Sequence, residues 1–220
     1  MKGGFFMRSK TYGAPERRTD RLILSSVAAA LALYAAFSCT FFAFGCSDLK
    51  SDVVRLHISA NSDSEADQKI KLAVRDALLE MNMLLPGEGV NTENAAEYFE
   101  NSKDALLART LEVLESGGFD YGAELKLCRE YFPTREYEGL VFPAGEYTSV
   151  RVVLGKGEGH NWWCVMFPPL CVGASGEFKT DKTVLDETVS PGARTVVSSG
   201  GRYKIRFKIV EWIEKLTESK

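Results

Sequence analysis

The sequence predicts an α+β protein: two helices packed on a largely antiparallel sheet, with an N-terminal apolar helix before them and a C-terminal helix after. Three observations predict it. An uncharged apolar run fills residues 22–44. Beyond it, segments with strand-like alternation and segments with helical spacing follow in the order strand, helix, helix, strand, strand, strand. From residue 173 the pattern lapses into Gly-, Ser- and Thr-rich sequence, and a last apolar stripe closes the chain.

The apolar run, LILSSVAAALALYAAFSCTFFAF, carries no charge in 23 positions. As a helix it measures about 35 Å, against about 30 Å of bilayer hydrocarbon. Arg17, Arg18 and Arg21 precede it, which favours a cytoplasmic N-terminus and an exported remainder. Ala43-Phe44-Gly45 puts small residues where a signal peptidase wants them, before Cys46, yet the run is long for a cleaved signal. Residues 22–46 therefore read as a signal peptide or a signal anchor behind a basic cytoplasmic leader, 1–21. Gly45-Cys46 is a weaker hint of a lipid-modified cysteine. Residues 1–46 hold six basic and two acidic residues; the rest hold 21 and 28, a net −7. The whole chain, at −3, lacks the basic footprint of a nucleic-acid binder.

Ser47–Asp52 reads as a short polar stalk. Residues 53–172 form the exported domain. Val53–Ala60 alternates and predicts a strand. Asn61-Ser62-Asp63-Ser64 is a turn, and Ser64 with Asp67 resembles a capping box. Ile70, Val74, Ala77, Leu78, Met81 and Leu85 carry a helix to about residue 85, where Pro86-Gly87 stops it. Asn91-Thr92 offers a second cap, and Ala95, Phe99, Leu106 and Val113 mark a second helix that ends at Gly117-Gly118. Residues 121–128 alternate as a half-buried strand closed by Phe132-Pro133-Thr134. Glu146–Gly155 alternates again. Trp162–Phe167 is a continuous apolar run, as a central strand would be. Residues 173–203 read as a flexible linker. Residues 204–220 predict an amphipathic helix with Ile205, Ile209, Trp212, Ile213 and Leu216 on one side, docked by default on its own domain.

The chemistry-bearing residues are sparse. Gly155-Lys156-Gly157-Glu158-Gly159 lacks the spacing and the strand-to-helix context of a phosphate loop and reads as a hairpin loop. Cys164 with His57 or His160 could make a thiol and a base, but an apolar run raises a thiol's pKa and quiets it. In an oxidising space Cys164 and Cys171, around Pro168-Pro169, could form a disulfide; two buried thiols are the equal alternative. Asp63, Glu65 and Asp67 answer a helix dipole more simply than they bind a cation. No cofactor or metal site is expected. Trp162 and Trp163 should face opposite sides of a strand.

Four stretches together resemble the stage II sporulation protein R family of endospore-forming bacteria. They are Val54-Arg55-Leu56-His57 running into Ala60-Asn61-Ser62-Asp63-Ser64; Lys71-Leu72-Ala73-Val74-Arg75-Asp76-Ala77; Phe132-Pro133-Thr134-Arg135 with Pro143-Ala144-Gly145-Glu146-Tyr147; and the most specific, Asn161-Trp162-Trp163-Cys164-Val165-Met166-Phe167-Pro168-Pro169-Leu170-Cys171. The resemblance implies an exported signalling protein, not an enzyme. It would be made in the forespore and act in the space between the forespore and mother-cell membranes. Its partner would be a membrane-embedded aspartic protease that processes the precursor of the mother-cell sigma factor, sigma E. The family supplies no catalytic residues to transfer. Ser59 stands where the family strand usually has a branched apolar residue, and the leader is longer than usual. The competing readings are an exported cell-envelope hydrolase using Cys164 or a carboxylate, and a structural envelope protein. The partner surface is expected at Asn61, Ser62 and Asp63, at the Lys156–Asn161 loop with His160 and Asn161, and at whichever of Trp162 and Trp163 is exposed.

Overall fold

The computed structural model describes residues 16–82, 90–137, 139–168, 185 and 188–198. The first helix, α1, runs unbroken over Glu16–Asp52. Its apolar part is open on every side: Leu24, Leu33 and Phe37 are each more than 70% exposed. Such a surface is compatible with a signal or a membrane anchor. The chain divides after Thr40 into two compact units. The last three turns of α1 belong to the second unit, where Phe42, Cys46 and Leu49 are buried. Residues 47–52, expected as a stalk, continue the helix instead, because Leu49 has a core to enter.

A mixed four-stranded sheet organises the body. Its strands are β1 (Val54–Ser59), β2 (Ala123–Phe132), β5 (Gly145–Leu154) and β6 (Asn161–Phe167), in the order β2-β5-β1-β6. Two of the three pairings are antiparallel, β2 with β5 and β1 with β6. The third, β1 with β5, is parallel, with Val54 opposite Thr148. Between β2 and β5 lies a hairpin that the sequence reading passed over, β3 (Arg135–Tyr137) and β4 (Leu140–Phe142).

Three helices cover one face: α2 (Glu65–Asn82), α3 (Ala95–Asn101) and α4 (Lys103–Ser116). Ile70, Val74 and Leu78 of α2, Phe99 of α3 and Leu106 and Leu114 of α4 close over Leu56, Ile58, Val150, Val152 and Met166. The second predicted helix is thus two, parted at Ser102. Ser64 caps α2 as expected, its Oγ accepting from the Asp67 amide at 3.1 Å.

The opposite face is covered by the β3–β4 hairpin, the end of α1 and a short helix, α5 (Pro191–Ser198). This helix lies in the segment expected to be a linker, and that expectation is corrected there. The physical reasons are partly local and partly a contact from α1. Pro191 suits a first helical turn, Asp52 accepts the Ser190 amide at 2.9 Å, and Ala193, Val196 and Val197 are spaced to bury one side. Cys171, with the disulfide expected between it and Cys164, most of the rest of the expected linker (173–184, 186, 187 and 199–203) and the helix expected at 204–220 lie outside the described residues.

Candidate functional site

The two loops singled out by sequence meet at one end of the sheet. Sheet order explains why. β5 and β6 flank β1, so residues 155–160 cannot form a hairpin loop; they cross the end of β1 and pass over the turn that leaves it. The crossing is close. Asn61 Oδ1 accepts the Lys156 amide at 3.0 Å, the Gly159 amide donates to Ala60 O at 2.9 Å, and the His160 amide donates to Asp63 Oδ1 at 2.7 Å. Gly155 takes φ +54°, and a Cβ there would run into the Asn61 side chain. His160 Nδ1 also contacts Asp63 Oδ1, and these two side chains stand 78% and 57% exposed. The amide and ring of His160 hold the Asp63 carboxyl below its ordinary range.

Beneath this exposed rim, Asp67 anchors the turn. It is 5% exposed and accepts from Ser62 Oγ, from Asn61 Nδ2 at 3.0 Å and from Tyr121 OH at 2.6 Å. Burial alone would raise its pKa, but the hydrogen bonds outweigh it and hold it low. Burial and the Asp67 carboxylate push the Tyr121 hydroxyl up. Lys71 spans the two loops from below, donating from Nζ to the His160 carbonyl at 2.8 Å; burial lowers its pKa. Asn61, Ser62, Asp63, His160 and Asn161 therefore form one connected, solvent-facing edge.

Trp162 and Trp163 separate as alternation requires. Trp162 packs on the helix-covered core beneath the Arg75 guanidinium, 4.4 Å from its ring centre. Trp163 turns to the other face, stacked on His57 at 3.6 Å between ring centres. Both are half-buried, so neither is a free aromatic platform.

The second face holds a buried polar row absent from the sequence expectations. Arg55, His57 and Ser59 of β1 are all under 5% exposed. The Arg55 guanidinium donates from Nε to the Cys164 carbonyl and from Nη2 to Tyr137 OH, both at 3.0 Å. The rings of Phe132, Phe142 and Tyr147 surround it. His57 Nδ1 donates to Glu130 Oε2 at 2.9 Å. Burial works to raise the Glu130 pKa, but the bond from His57 and the charge of Arg151 bring it below its ordinary value. Ser59 Oγ donates to Asn161 Oδ1 at 2.8 Å and lies 3.5 Å from His57 Nε2. A serine, an imidazole and a carboxylate thus stand in line, but the one hydroxyl proton is committed to Asn161 and the oxygen is buried. The row works as a relay of contacts from β2 through β1 to the loop edge. Its sequence signal is the polar half of the β1 alternation, which a surface strand would share.

Cys164 pairs opposite Leu56 and points into the helix-covered face, while the neighbouring His57 points away from it. His160 lies at the exposed loop. The fold does not assemble thiol and imidazole. Among the described residues no cluster of three or more His, Cys, Asp or Glu side chains could hold a metal ion.

The model for the stage II sporulation protein R family matches residues 50–176, more than half the chain. The chain belongs to that family. Stage II sporulation protein R of Bacillus subtilis (strain 168) is 30% identical over 185 residues, an alignment covering 76% of this chain and 83% of that protein. No solved structure matches. Membership in the stage II sporulation protein R family gives this chain a role in sporulation, and the matched span takes in β1, both loops of the exposed edge and all of β6.

Proposed function

We propose that this protein is an exported sporulation signal. Helix α1 carries the body across the forespore membrane, and in the space beyond, the body activates a membrane-embedded aspartic protease of the mother cell. That protease then processes the precursor of sigma E. The support is a hydrogen-bonded, exposed edge with no assembled nucleophile among the described residues, joined to an apolar helix, in a chain of a sporulation family. A protein so built acts by contact. The edge formed by Asp63 and His160, braced by Asn61, Asp67 and Lys71, is the surface offered to the protease.

The test co-expresses the full chain with the protease and the sigma precursor, and follows precursor length on gels. Shortening that requires this chain is the expected result; an uncut precursor beside an active relative's control overturns the reading. The pair of changes Asp63→Ala and His160→Ala should cut processing about tenfold while leaving export and folding intact. Normal processing by that variant would remove the edge from the interface.

A further inference from the structure

Among the described residues the sheet has two outer strands, β6 and β2. They differ in exposure. On β6, Cys164, Val165, Met166 and Phe167 are each no more than 1% exposed. On β2, Glu124, Lys126 and Arg129 are exposed and Leu127 and Cys128 half-buried. At ten residues, β2 is a long open strand, and an open strand is a template for a further one.

The ladder shows which backbone groups are on offer. The Gly155 amide donates to the Gly122 carbonyl, one step beyond the pair Ala123–Leu154. Antiparallel bonding alternates from there. Glu124, Lys126, Cys128 and Glu130 turn N–H and C=O toward β5, while Leu125, Leu127 and Arg129 turn theirs outward.

Symmetry and charge then choose a partner and a register. A second β2 can lie antiparallel to the first about a two-fold axis. Outward-turned residues must face outward-turned residues, so the axis falls on a residue. Only Leu127 and Cys128 as centres keep nearly all of the strand paired. Centred on Leu127, the axis sets Glu124 against Glu130, two like charges. Centred on Cys128, it sets Lys126 against Glu130, opposite charges, on both sides of the axis. A lysine on an open strand usually deters pairing. Here it gains a carboxylate, where its direct neighbour on β5 is Arg151, a like charge. Leu127 and Arg129 would exchange the backbone bonds.

We infer that β2 pairs antiparallel with β2 of a second copy of this chain, about a two-fold axis at Cys128, so that one sheet runs through both copies. This stands apart from the proposed activation of a protease.

The experiment treats membranes holding the full chain with copper phenanthroline, which oxidises apposed thiols, and maps the linked peptides by mass spectrometry. Facing Cys128 residues would have Cα atoms about 4.5 Å apart, within reach of a disulfide. Wild type should give a dimer linked from Cys128 to Cys128. Arg129→Pro removes an outward N–H that β5 does not use, and should cut the linked fraction about tenfold with the circular dichroism of the purified chain unchanged. Lys126→Glu sets like charges together twice and should cut it about fivefold, whereas Lys126→Arg should keep it. Absence of the Cys128–Cys128 link in wild type overturns the inference, as does a link from Cys128 to a different protein. An undiminished link in Lys126→Glu also overturns it, and that variant decides alone if Arg129→Pro does not accumulate.

Discussion

Along β1, Leu56 and Ile58 turn toward three helices, and Arg55, His57 and Ser59 turn the other way into a layer just as closed. The first side is held by apolar area and close packing. The second buries a guanidinium among aromatic rings and an imidazole against a carboxylate. The helix side tolerates other apolar residues of suitable volume. The polar side demands partners, because an unpaired buried polar group costs about 1–3 kcal/mol. That demand couples the middle of the sheet to the loop edge: Glu130, His57, Ser59 and Asn161 form one chain of contacts.

Several changes would sharpen this contrast. Arg55→Ala should cost most, about 4 kcal/mol, since it empties the space between Phe132, Phe142 and Tyr147. Arg55→Met keeps the volume without the charge and should recover more than half of the loss in a thermal melt, as apolar replacements of buried charges often do. Equal losses would mean that charge, rather than volume, holds the layer. On the opposite side Leu56→Ala should cost about 3 kcal/mol with no dependence on pH.

The acid limb should then separate the two faces. Glu130 and Asp67 both have folded pKa values below their ordinary 4.5 and 3.8. Each therefore stabilises the fold above its ordinary value and loses that contribution as pH falls through the lowered one. Glu130→Gln should flatten the drop in melting temperature below about pH 4.5, whereas Leu56→Ala should leave its shape unchanged. An unaltered acid limb in Glu130→Gln would mean that His57 does not depend on the carboxylate.

Smaller effects lie at the edge. Gly155→Ala strains a positive φ and displaces Asn61, costing about 1 kcal/mol. His160→Ala should leave the melting temperature where it is, because the ring is mostly exposed. Its consequence should appear in precursor processing alone.

Much of this was legible in the chain. Apolar spacing located α2, alternation located β1, β2 and β5, and a continuous apolar run located β6, because these patterns register burial on one side or on both. The β3–β4 hairpin escaped, since three-residue strands are too short to show a period. Helix α5 escaped although Ser190 caps it and Pro191 opens it, because eight residues that bury only Ala193, Val196 and Val197 show too little of a period within Gly- and Ser-rich sequence. The two loops were chosen separately on composition. That they form one edge follows from β1 lying between β5 and β6, a long-range pairing invisible to local patterns. The polar row was missed because His57 and Ser59 look like the wet side of an ordinary strand, and only the layer over them shows otherwise.

The parallel pairing of β1 with β5 sets a timetable as well as a shape. Val54 meets its neighbour at Thr148, and the helices and β2 are made in between. Long-range pairing of this kind is slow, because the loop must close before any contact rewards it. A chain made from its N-terminal end therefore completes an inner strand long before that strand's parallel mate exists. The body can set only once nearly all of it is at hand.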